Sequence, residues 1–377
     1  DLLDPGAQCL GMDVELLTSI APEDADRLKG NPLGEILRPV ASAGNGLIGK
    51  GFGTLYSLRR GLTPRLRETH FDVVHSHSGT YPYAFLPLAA DRRTTVRLHS
   101  LYCPLGAKGG VYSQWWETSF LVRTLFNRLD KVVAVTGNVR QSIERAGVRL
   151  ERIESIPMCV DTRRFRPREP RESHHYFCEN GDSVRLLYVG NASREKGLVQ
   201  LLHAVKILTD EGVHVVLVAA VENQSRIKEY ETGHRRVQEL IRELGIHRHV
   251  RLLGLVDRIE ELYAESDLVV IPWETSRGPS DYPMVALEAM AMGRCVVSTP
   301  VGGCPELLDH GTAGILSEGF SAESLASAIR IAVKNADLRQ AVECAAMQRA
   351  EALSLSASAK RMILLYERLL GAKNRRD

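Results

Sequence analysis

Short apolar segments alternate with amphipathic segments of helical length along nearly the whole chain of 377 residues. The apolar segments predict β-strands at Val14–Thr18, Val73–His77, Thr95–His99, Lys131–Val135, Arg185–Val189, Val213–Ala219, Val250–Leu253, Leu268–Pro272 and Cys295–Ser298. The amphipathic segments predict helices at Tyr81–Ala90, Glu117–Leu129, Val139–Ala146, Leu198–Asp210, Gly233–Leu244, Ile259–Ala264 and Pro283–Met292. Strands that are separated by helices pair in parallel through right-handed crossovers. The chain is therefore predicted to be an α/β protein with parallel sheets.

The strands and helices fall into two series with a polar stretch between them. This stretch contains Pro167 and Pro170 among charged residues, which is typical of a linker. At roughly 150 residues per domain, a chain of this length suggests two or three domains. We predict a doubly wound, Rossmann-like domain at residues 1–168, a linker at 169–183, a second such domain at 184–355 and a final segment at 356–377.

The composition excludes several classes of protein. Lys and Arg number 48 against 46 Asp and Glu, which excludes a surface that is basic throughout for binding nucleic acid. No apolar run approaches the roughly 18 residues of a membrane span. Seven cysteines without a C-x-x-C pair are typical of reduced thiols and predict a cytoplasmic chain. Residues 1–169 carry 23 basic and 18 acidic residues, which suits an ordinary solvated surface or, less often, an anionic acceptor or a membrane face.

A G-x-G-x-x-G pattern at Gly44, Gly46 and Gly49 is typical of a dinucleotide-binding turn. The segment before it is broken by Pro39, and no acidic residue ends a strand about 20 positions later. We therefore interpret the glycines as a flexible loop over a binding cleft, with a dinucleotide oxidoreductase as a distant alternative.

Three histidines lie at the ends of predicted strands of the first domain. His75 and His77 end one strand, and His99 ends the next. Ligands of open parallel sheets gather at the carboxyl ends of strands, which favours a role for at least one of the three. Zinc needs three or four ligands at suitable spacing, and no further ligand is evident nearby, so we predict no metal site.

A candidate phosphate site follows the first strand of the second domain. Tyr188–Gly197 reads as a strand end, a glycine turn and the start of a helix, with the cations Arg194 and Lys196 between them. Free amides at a helix N-terminus and two cations suit a diphosphate. A solvated loop is the equally weighted alternative for this segment alone.

A second candidate segment, Ser280–Gly293, begins with a turn and continues as a helix whose first amides face a potential anion. Apolar residues flank Glu288 within this helix. Its carboxylate is therefore either buried with a partner or directed at a ligand hydroxyl, and both interpretations stay open.

Seven motifs in this order resemble the retaining glycosyltransferases of family 4. They are Asp72-Val-Val-His-Ser-His, Thr95-Val-Arg-Leu-His99, Ile156-Pro-Met-Cys-Val-Asp161 with Phe165-Arg-Pro, Val189-Gly to Lys196-Gly197, Leu253-Gly254, Leu287-Glu288-Ala-Met-Ala-x-Gly293 and Val301-Gly-Gly-x-Pro-Glu306. The resemblance spans nearly the whole chain. It implies the two-domain GT-B fold, a nucleotide-diphosphate sugar as co-substrate, and neither a metal nor another cofactor. It also implies that a final helix, which Ala357–Leu370 fits, returns to the first domain.

The resemblance implies roles for individual residues. Glu288 would bind the ribose hydroxyls of the nucleotide, and Lys196 with Arg194 would hold the diphosphate and stabilise the charge on it as it leaves. His99 would reach toward the transferred sugar, and backbone amides from Tyr282 to Val285 would contact phosphate and sugar. The predicted catalytic residues are His99, Arg194 and Lys196, and the predicted substrate-binding residues are Gly190, Asn191, Ser280, Asp281, Tyr282, Pro283, Met284, Val285 and Glu288.

The chain departs from the family pattern at four places. Ser280 stands where the family usually has Glu, and Asn191 stands where it usually has Arg. Met158-Cys159 replaces the common Asn-Gly. The chain begins inside the expected first helix, so we expect the first domain to lack its first strand and the glycine-rich loop after it. These departures concern the geometry of the donor.

The expected function is a metal-independent, retaining glycosyltransferase of the hexosyltransferase type. Its partners would be a nucleotide-sugar donor and a carbohydrate, lipid-linked or small-molecule acceptor, without nucleic acid. We expect it in the cytoplasm, with peripheral association at the inner membrane face left open. A non-catalytic binding subunit of the same fold is an alternative that Ser280 and Asn191 favour. A nucleotide-sugar epimerase is a further alternative, although Ser280 removes an obvious acid/base carboxylate from it.

Overall fold

The structure is a computed structural model. It describes residues 13–19, 37–40, 50–79, 81–106, 120–168, 176–177, 183–221, 228–276 and 280–375. The chain divides into two compact units. The first unit comprises Asp1–Val135, Val139–Ile156 and Ala359–Asp377, and the second comprises Thr136–Asn138 and Pro157–Ser358.

The first unit contains two parallel sheets in its described part. Strands β1 (Leu16–Ser19) and β2 (Leu37–Val40) pair with each other. Strands β3 (Val73–Ser78), β4 (Val96–Leu101), β5 (Lys131–Ala134) and β6 (Ile153–Ser155) form the second sheet in that order. The helices are α1 (Lys50–Glu68), α2 (Phe120–Asn127) and α3 (Gly137–Arg145), of which α3 begins with two residues of the second unit.

The second unit is a six-stranded parallel sheet with helices between its strands. The strands are β7 (Val184–Gly190), β8 (Val215–Val221), β9 (Val250–Leu253), β10 (Leu268–Ile271), β11 (Cys295–Ser298) and β12 (Ile315–Leu316), and their order is β12-β11-β10-β7-β8-β9. The helices are α4 (Leu198–Asp210), α5 (Lys228–Glu243), α6 (Ile259–Glu265), α7 (Met284–Ala291), α8 (Cys304–Leu307), α9 (Ala322–Lys334) and α10 (Ala336–Ala352).

The core of the second unit explains why its central strands read as continuous apolar runs. All seven residues of β8 are buried, because helices cover both faces of a parallel sheet. The inward face of α4 supplies Leu201, Leu202 and Val205 to the same core. This packing gives the carboxyl ends of the strands a rigid base.

The last helix, α11 (Leu355–Asn374), joins the core of the first unit from Ala359 onward. Met362 and Leu365 pack against Val96 and Leu98 of β4. Each fully buried side chain of this kind contributes about 1.5–3 kcal/mol by removing apolar surface from water. From Ala359 onward, helix α11 is therefore an integral part of the first unit.

The predicted fold class is confirmed, since both units are Rossmann-like α/β structures with parallel sheets, and the strand order of the second unit reverses at β7 as in a doubly wound sheet. The helix predicted at Tyr81–Ala90 is wrong: this segment forms two short 3₁₀ turns, Tyr81–Phe85 and Pro87–Ala89. Pro82 and Pro87 lack the amide hydrogen that a continuous helix needs. The sequence analysis missed α1, α8, α9, α10, β6 and β12, and it treated the segment of β2 only as one broken by Pro39. The predicted glycine loop at Gly44, Gly46 and Gly49 lies outside the described residues.

Across the ranges that the structure describes, no helix combines the length and apolar character needed to cross a bilayer.

Candidate functional site

The strand order of the second unit creates a topological switch point between β7 and β10. The chain passes from β7 outward to β8 and β9, and then returns to the opposite side of β7 to form β10. Leu186 of β7 pairs with Leu268 of β10, so both strands end at the same edge of the sheet. Open parallel sheets bind ligands in the crevice at such an edge. The segments that follow Gly190 and Ile271 therefore border the candidate site.

The turn after β7 has a defined shape. The Oδ1 atom of Asn191 accepts a hydrogen bond from the Ser193 amide at 3.0 Å, and the Asn191 carbonyl accepts one from the Tyr188 hydroxyl at 2.6 Å. Gly197 ends the turn in the left-handed conformation, with φ of 68°. A Cβ atom there would lie 1.6 Å from the carbonyl oxygen of Pro272. The turn can pass the end of β10 only with glycine at this position.

The two cations of this turn have different surroundings. The Nζ atom of Lys196 lies 3.7 Å from the centre of the Trp273 ring, which is a cation–π contact. Arg194 is 89% exposed, and its Nε lies 3.6 Å from Oε2 of Glu274. The Glu274 amide donates to the carbonyl of Glu195 at 3.0 Å, which joins the loop after β10 to the turn. Lys196 is therefore held in place, whereas Arg194 extends into solvent.

The start of α7 offers fewer amides than the sequence analysis predicts. The Tyr282 amide donates to the Ser280 hydroxyl at 3.0 Å, and the Met284 amide donates to the Tyr282 carbonyl at 3.0 Å. Pro283 has no amide hydrogen. Among the described residues, the Val285 amide has no hydrogen-bond partner. It is the amide of this group best placed to meet an anion at the helix N-terminus.

Asp281 is fully buried, and its side chain faces its own unit rather than the surface. The hydroxyl of Thr136, which belongs to the same unit, donates to its Oδ2 at 2.7 Å. The Gly303 amide donates to its carbonyl at 3.0 Å. Burial raises the pKa of the Asp281 carboxyl. Asp281 therefore connects two loops through hydrogen bonds, and its side chain is not exposed to a substrate.

The surroundings of Glu288 agree with both interpretations that the sequence leaves open, a buried partner and a ligand hydroxyl. The hydroxyl of the fully buried Tyr263 donates to Oε2 of Glu288 at 2.8 Å, so the carboxylate has a partner. Among the described residues nothing bonds Oε1, and the side chain is only half-buried. Burial raises the pKa of Glu288, whereas the Tyr263 hydrogen bond and the positive charge of Arg164 lower it. One carboxylate oxygen is fixed, and the other can accept from a ligand.

His99 of the first unit is fully buried within β4, two residues before this strand ends. Its Nδ1 lies 2.8 Å from the Ser76 hydroxyl, and no described residue bonds its Nε2. Burial, helped by the charge of His77, lowers the pKa of His99 to about 3. The imidazole is therefore neutral at neutral pH and can donate or accept one further hydrogen bond.

The other two histidines of these strands are bound to tyrosines. His75 lies between the Tyr366 hydroxyl, 2.7 Å from Nδ1, and the Ser100 hydroxyl, 2.9 Å from Nε2. His77 contacts the Tyr102 hydroxyl at 2.8 Å. Within the described ranges, no group of three or more His, Cys, Asp or Glu side chains is arranged to hold a metal ion.

The sequence analysis missed three residues that shape the site, namely Trp273, Glu274 and Tyr263. Trp273 and Glu274 lie two and three residues after the end of β10, and the rule that ligands gather at strand ends is a signal that could have found them. No such signal marks Tyr263, because it lies on a different helix from Glu288 and 25 residues before it in the sequence.

Two family models match the chain, one in each half. The model described as Glycosyltransferase Family 4 matches residues 7–164, and the model described as Glycosyl transferases group 1 matches residues 183–335. The chain belongs to the family 4 glycosyltransferases. The family predicted from the ordered motifs is thereby confirmed.

The similarity between this family 4 glycosyltransferase and its curated relatives covers only part of each relative. The D-inositol 3-phosphate glycosyltransferase of Corynebacterium jeikeium is 33% identical over 231 residues, which is 59% of this chain and 53% of the relative. A protein of the same description from Geodermatophilus obscurus is 28% identical over 72% of this chain. The chain spans 53%, 61% and 57% of the first three curated relatives.

A solved glycosyltransferase from Rickettsia africae shares the fold, with a TM-score of 0.76 and 20% identity over 96% of this chain and 92% of that one. An Anabaena protein that was solved in complex with UDP and glucose has a TM-score of 0.71 and 18% identity, covering 91% and 88%. These similarities show that this family 4 glycosyltransferase has the GT-B fold.

Proposed function

We propose that this family 4 glycosyltransferase transfers a sugar from a nucleoside-diphosphate sugar to an acceptor hydroxyl, with retention of anomeric configuration and without a metal ion. One observation carries the proposal. The elements that follow β7 and β10 present a positioned cation, Lys196 on Trp273, and a positioned carboxylate, Glu288 on Tyr263. Contacts within the protein hold both groups in place, which lowers the entropic cost of binding.

A nucleoside diphosphate has chemical groups that match these side chains. The free Oε1 of Glu288 accepts hydrogen bonds from the ribose hydroxyls. Lys196, Arg194 and the Val285 amide receive the diphosphate, since cations and a helix N-terminus favour negative charge. Gly190 and Asn191 supply the turn beside which the diphosphate lies. In this proposal Ser280 and Asp281 shape the loop before α7 and do not contact the substrate through their side chains.

The transfer requires stabilisation of a departing anion. A bond forms between the acceptor oxygen and the anomeric carbon, and the bond from that carbon to the diphosphate oxygen breaks. The acceptor proton passes to the departing diphosphate, which leaves as a nucleoside diphosphate. Lys196 offsets the charge that develops on the leaving oxygen, and preorganised charges of this kind are the main source of catalysis in such a step.

His99 is proposed to contact the transferred sugar. Its neutral imidazole has a free Nε2 that can bond a sugar hydroxyl, because Nδ1 is taken by Ser76. The low pKa of His99 keeps this nitrogen in the same state from neutral pH down to about pH 4.

The comparisons suggest which donors and acceptors to test first. UDP and glucose are bound in the Anabaena protein, and the first curated relatives are named for inositol 3-phosphate. We propose UDP-sugars as donors, with a carbohydrate, lipid-linked or small-molecule acceptor and inositol phosphate as the first candidate. The dispersed thiols lead us to propose that the enzyme works in the cytoplasm.

The test combines UDP-, GDP- and ADP-sugars with acceptor mixtures and follows the products by mass spectrometry. We expect a product that carries one added sugar, an anomeric configuration by NMR that matches the donor, and unchanged rates in EDTA. The variant Glu288→Ala should weaken nucleotide affinity by about 10- to 100-fold, the value of a charge-assisted hydrogen bond. Its control is Glu351→Ala, which removes an exposed carboxylate from α10.

Other outcomes would identify other functions. Donor binding without a glycosylated product would support a non-catalytic binding subunit. A nucleotide sugar of altered configuration would support an epimerase. Equal nucleotide affinity in Glu288→Ala and Glu351→Ala would refute the ribose-binding role.

A further inference from the structure

The motif Phe165-Arg-Pro, which lies just before the polar linker, has no part in the donor site described above. Phe165 is buried, and its ring meets the ring of Tyr263 in a T-shaped arrangement, with 6.1 Å between the ring centres and an angle of 75°. Aromatic pairs favour this geometry. The Tyr263 hydroxyl holds the carboxylate of Glu288 at 2.8 Å. Phe165 therefore packs on the phenol that positions this carboxylate.

The guanidinium group of Arg164 lies on the ring of Phe165. Its Cζ atom is 5.0 Å from the ring centre, which is a cation–π contact. Its Nη2 donates to Oε2 of Glu260 at 3.2 Å, and the Glu260 side chain is only 11% exposed. The aromatic ring and the carboxylate thus hold the guanidinium group, although the Arg164 side chain is only half-buried.

Hydrogen bonds to Asp161 fix the backbone that carries these two residues. Oδ1 of Asp161 accepts from the Arg163 amide at 2.9 Å, and the Asp161 carbonyl accepts from the Phe165 amide at 2.9 Å. The Arg168 side chain donates to the Arg164 carbonyl. The segment therefore has a defined conformation, and the places of Arg164 and Phe165 follow from the local fold.

The positive charge of Arg164 acts on the carboxylate that the phenol holds. Burial raises the pKa of Glu288, whereas the Tyr263 hydrogen bond and the charge of Arg164 lower it. Within the described residues, these two are the titratable and charged groups that act on Glu288. Glu260, which Nε of Arg258 approaches to 3.8 Å, faces the Arg164 guanidinium itself. A nearby cation favours the ionised form of a carboxyl group.

We propose that Arg164 is a positioning residue of the donor site, which keeps the Glu288 carboxylate ionised and oriented for the ribose hydroxyls. It acts through its positive charge and through the packed rings of Phe165 and Tyr263. An ionised carboxylate only accepts hydrogen bonds, which is the property that binding of ribose hydroxyls requires. The proposal rests on the proposed function, since it assumes that Glu288 binds ribose.

Calorimetric titration of the whole chain with UDP at two pH values tests the proposal. Without the charge, the pKa of Glu288 rises in Arg164→Gln, so protonation weakens ribose binding at a higher pH. We expect Arg164→Gln to bind UDP within about 3-fold of the unaltered chain near pH 8, and about 5- to 10-fold more weakly than that chain near pH 5.5. A purely structural defect would lower the affinity by the same factor at both pH values.

Matched variants isolate the charge. Arg164→Lys keeps the positive charge and should keep the pH dependence of the unaltered chain. Arg163→Gln removes the neighbouring exposed arginine and should keep it too. Arg164→Gln combined with Glu260→Gln leaves no buried carboxylate without its partner and should show the same change as Arg164→Gln alone. In the Glu288→Gln background, Arg164→Gln should have no further pH-dependent effect.

The proposal is overturned if Arg164→Gln lowers UDP affinity by one factor at both pH values or not at all. It is also overturned if Arg164→Lys or Arg163→Gln changes the pH dependence as Arg164→Gln does. If Glu288→Gln weakens UDP binding while Arg164→Gln does not, the ribose site stands and only the role of Arg164 is refuted. If Glu288→Gln binds UDP as the unaltered chain does, the donor site of the proposed function is refuted.

Discussion

The carboxylate of Glu288 is held by the hydroxyl of Tyr263, and removal of that hydroxyl tests the whole donor site. The hydrogen bond at 2.8 Å lowers the pKa of Glu288 against the effect of burial. In Tyr263→Phe the pKa of Glu288 should therefore rise. If the ionised carboxylate binds ribose, UDP affinity by calorimetry should fall about 5- to 10-fold, and its loss toward acid should begin at higher pH.

The control for this variant is Tyr366→Phe, which removes a phenol hydrogen bond from His75 in the first unit. It should leave UDP affinity unchanged. In the Glu288→Gln background, Tyr263→Phe should have little further effect, since the two residues act through one contact. If Glu288→Gln weakens UDP binding and Tyr263→Phe does not, the phenol has no positioning role. If neither variant changes affinity, the donor site itself is misplaced.

Gly197 is a position where one methyl group should disrupt the local structure. Its left-handed φ of 68° and the carbonyl of Pro272, 1.6 Å from a hypothetical Cβ, both oppose any side chain. We expect Gly197→Ala to lower the free energy of unfolding by about 3 kcal/mol or more. Gly212→Ala is the control, because Gly212 has φ of 74° but open space around it, and should cost only about 1 kcal/mol. Urea unfolding measures both, and equal losses would refute the steric argument.

At the scale of elements, long apolar patterns predict the structure well and weak patterns do not. Strand β8 and helix α4 follow from continuous or periodic apolar residues, because each must bury a complete face. Helix α1 is missed because Gly51, Gly53 and Pro64 lower its helix propensity, which its position in the first unit overrides. Strand β12 has two residues and no pattern of its own. Its pairing with β11 alone defines it.

The candidate site divides in the same way. The turn at Gly190 and the start of α7 are predictable, since both come from motifs that follow strands. The contacts of Trp273 with Lys196 and of Tyr263 with Glu288 are not predictable, since they depend on which elements become neighbours in the fold. The hydrogen bond between Thr136 and Asp281 cannot be predicted for the same reason. The sequence pattern indicates which side chains lie near the carboxyl-end edge of the sheet. Only the packing decides which of these side chains can still bind a ligand.

The turn between β7 and α4 gives the next prediction. Lys196 lies on the Trp273 ring, whereas the Arg194 side chain is 89% exposed and therefore has more rotamer freedom to lose when it binds. We expect Lys196→Met to weaken UDP affinity by about 10- to 100-fold and Arg194→Met by less than about 5-fold. Lys206→Met, a cation of α4 that pairs with Asp210, is the control and should have no effect. A larger loss in Arg194→Met than in Lys196→Met would reverse the assigned roles.

For the whole molecule, the near balance of 48 basic and 46 acidic residues conceals a local difference. Residues 1–169 carry 23 basic and 18 acidic residues, whereas the remaining residues carry 25 basic and 28 acidic residues. Net charge therefore predicts little about partners. The distribution of charge over the two units is the property that a partner would recognise.

The stability of the whole chain should depend on pH through its buried histidines. Burial lowers the pKa of His99 to about 3, and the pKa of His75 also lies well below its usual value. Unfolded histidines titrate near 6.5, so between these values the unfolded chain binds more protons than the folded chain. The free energy of unfolding should therefore fall as pH drops below about 6.5, by about 1.4 kcal/mol per pH unit for each such group. The variant His99→Gln should reduce that slope in urea unfolding between about pH 5 and pH 7, whereas His247→Gln, which alters an exposed histidine, should leave it unchanged. An unaltered slope in His99→Gln would mean that folding does not lower the pKa of His99.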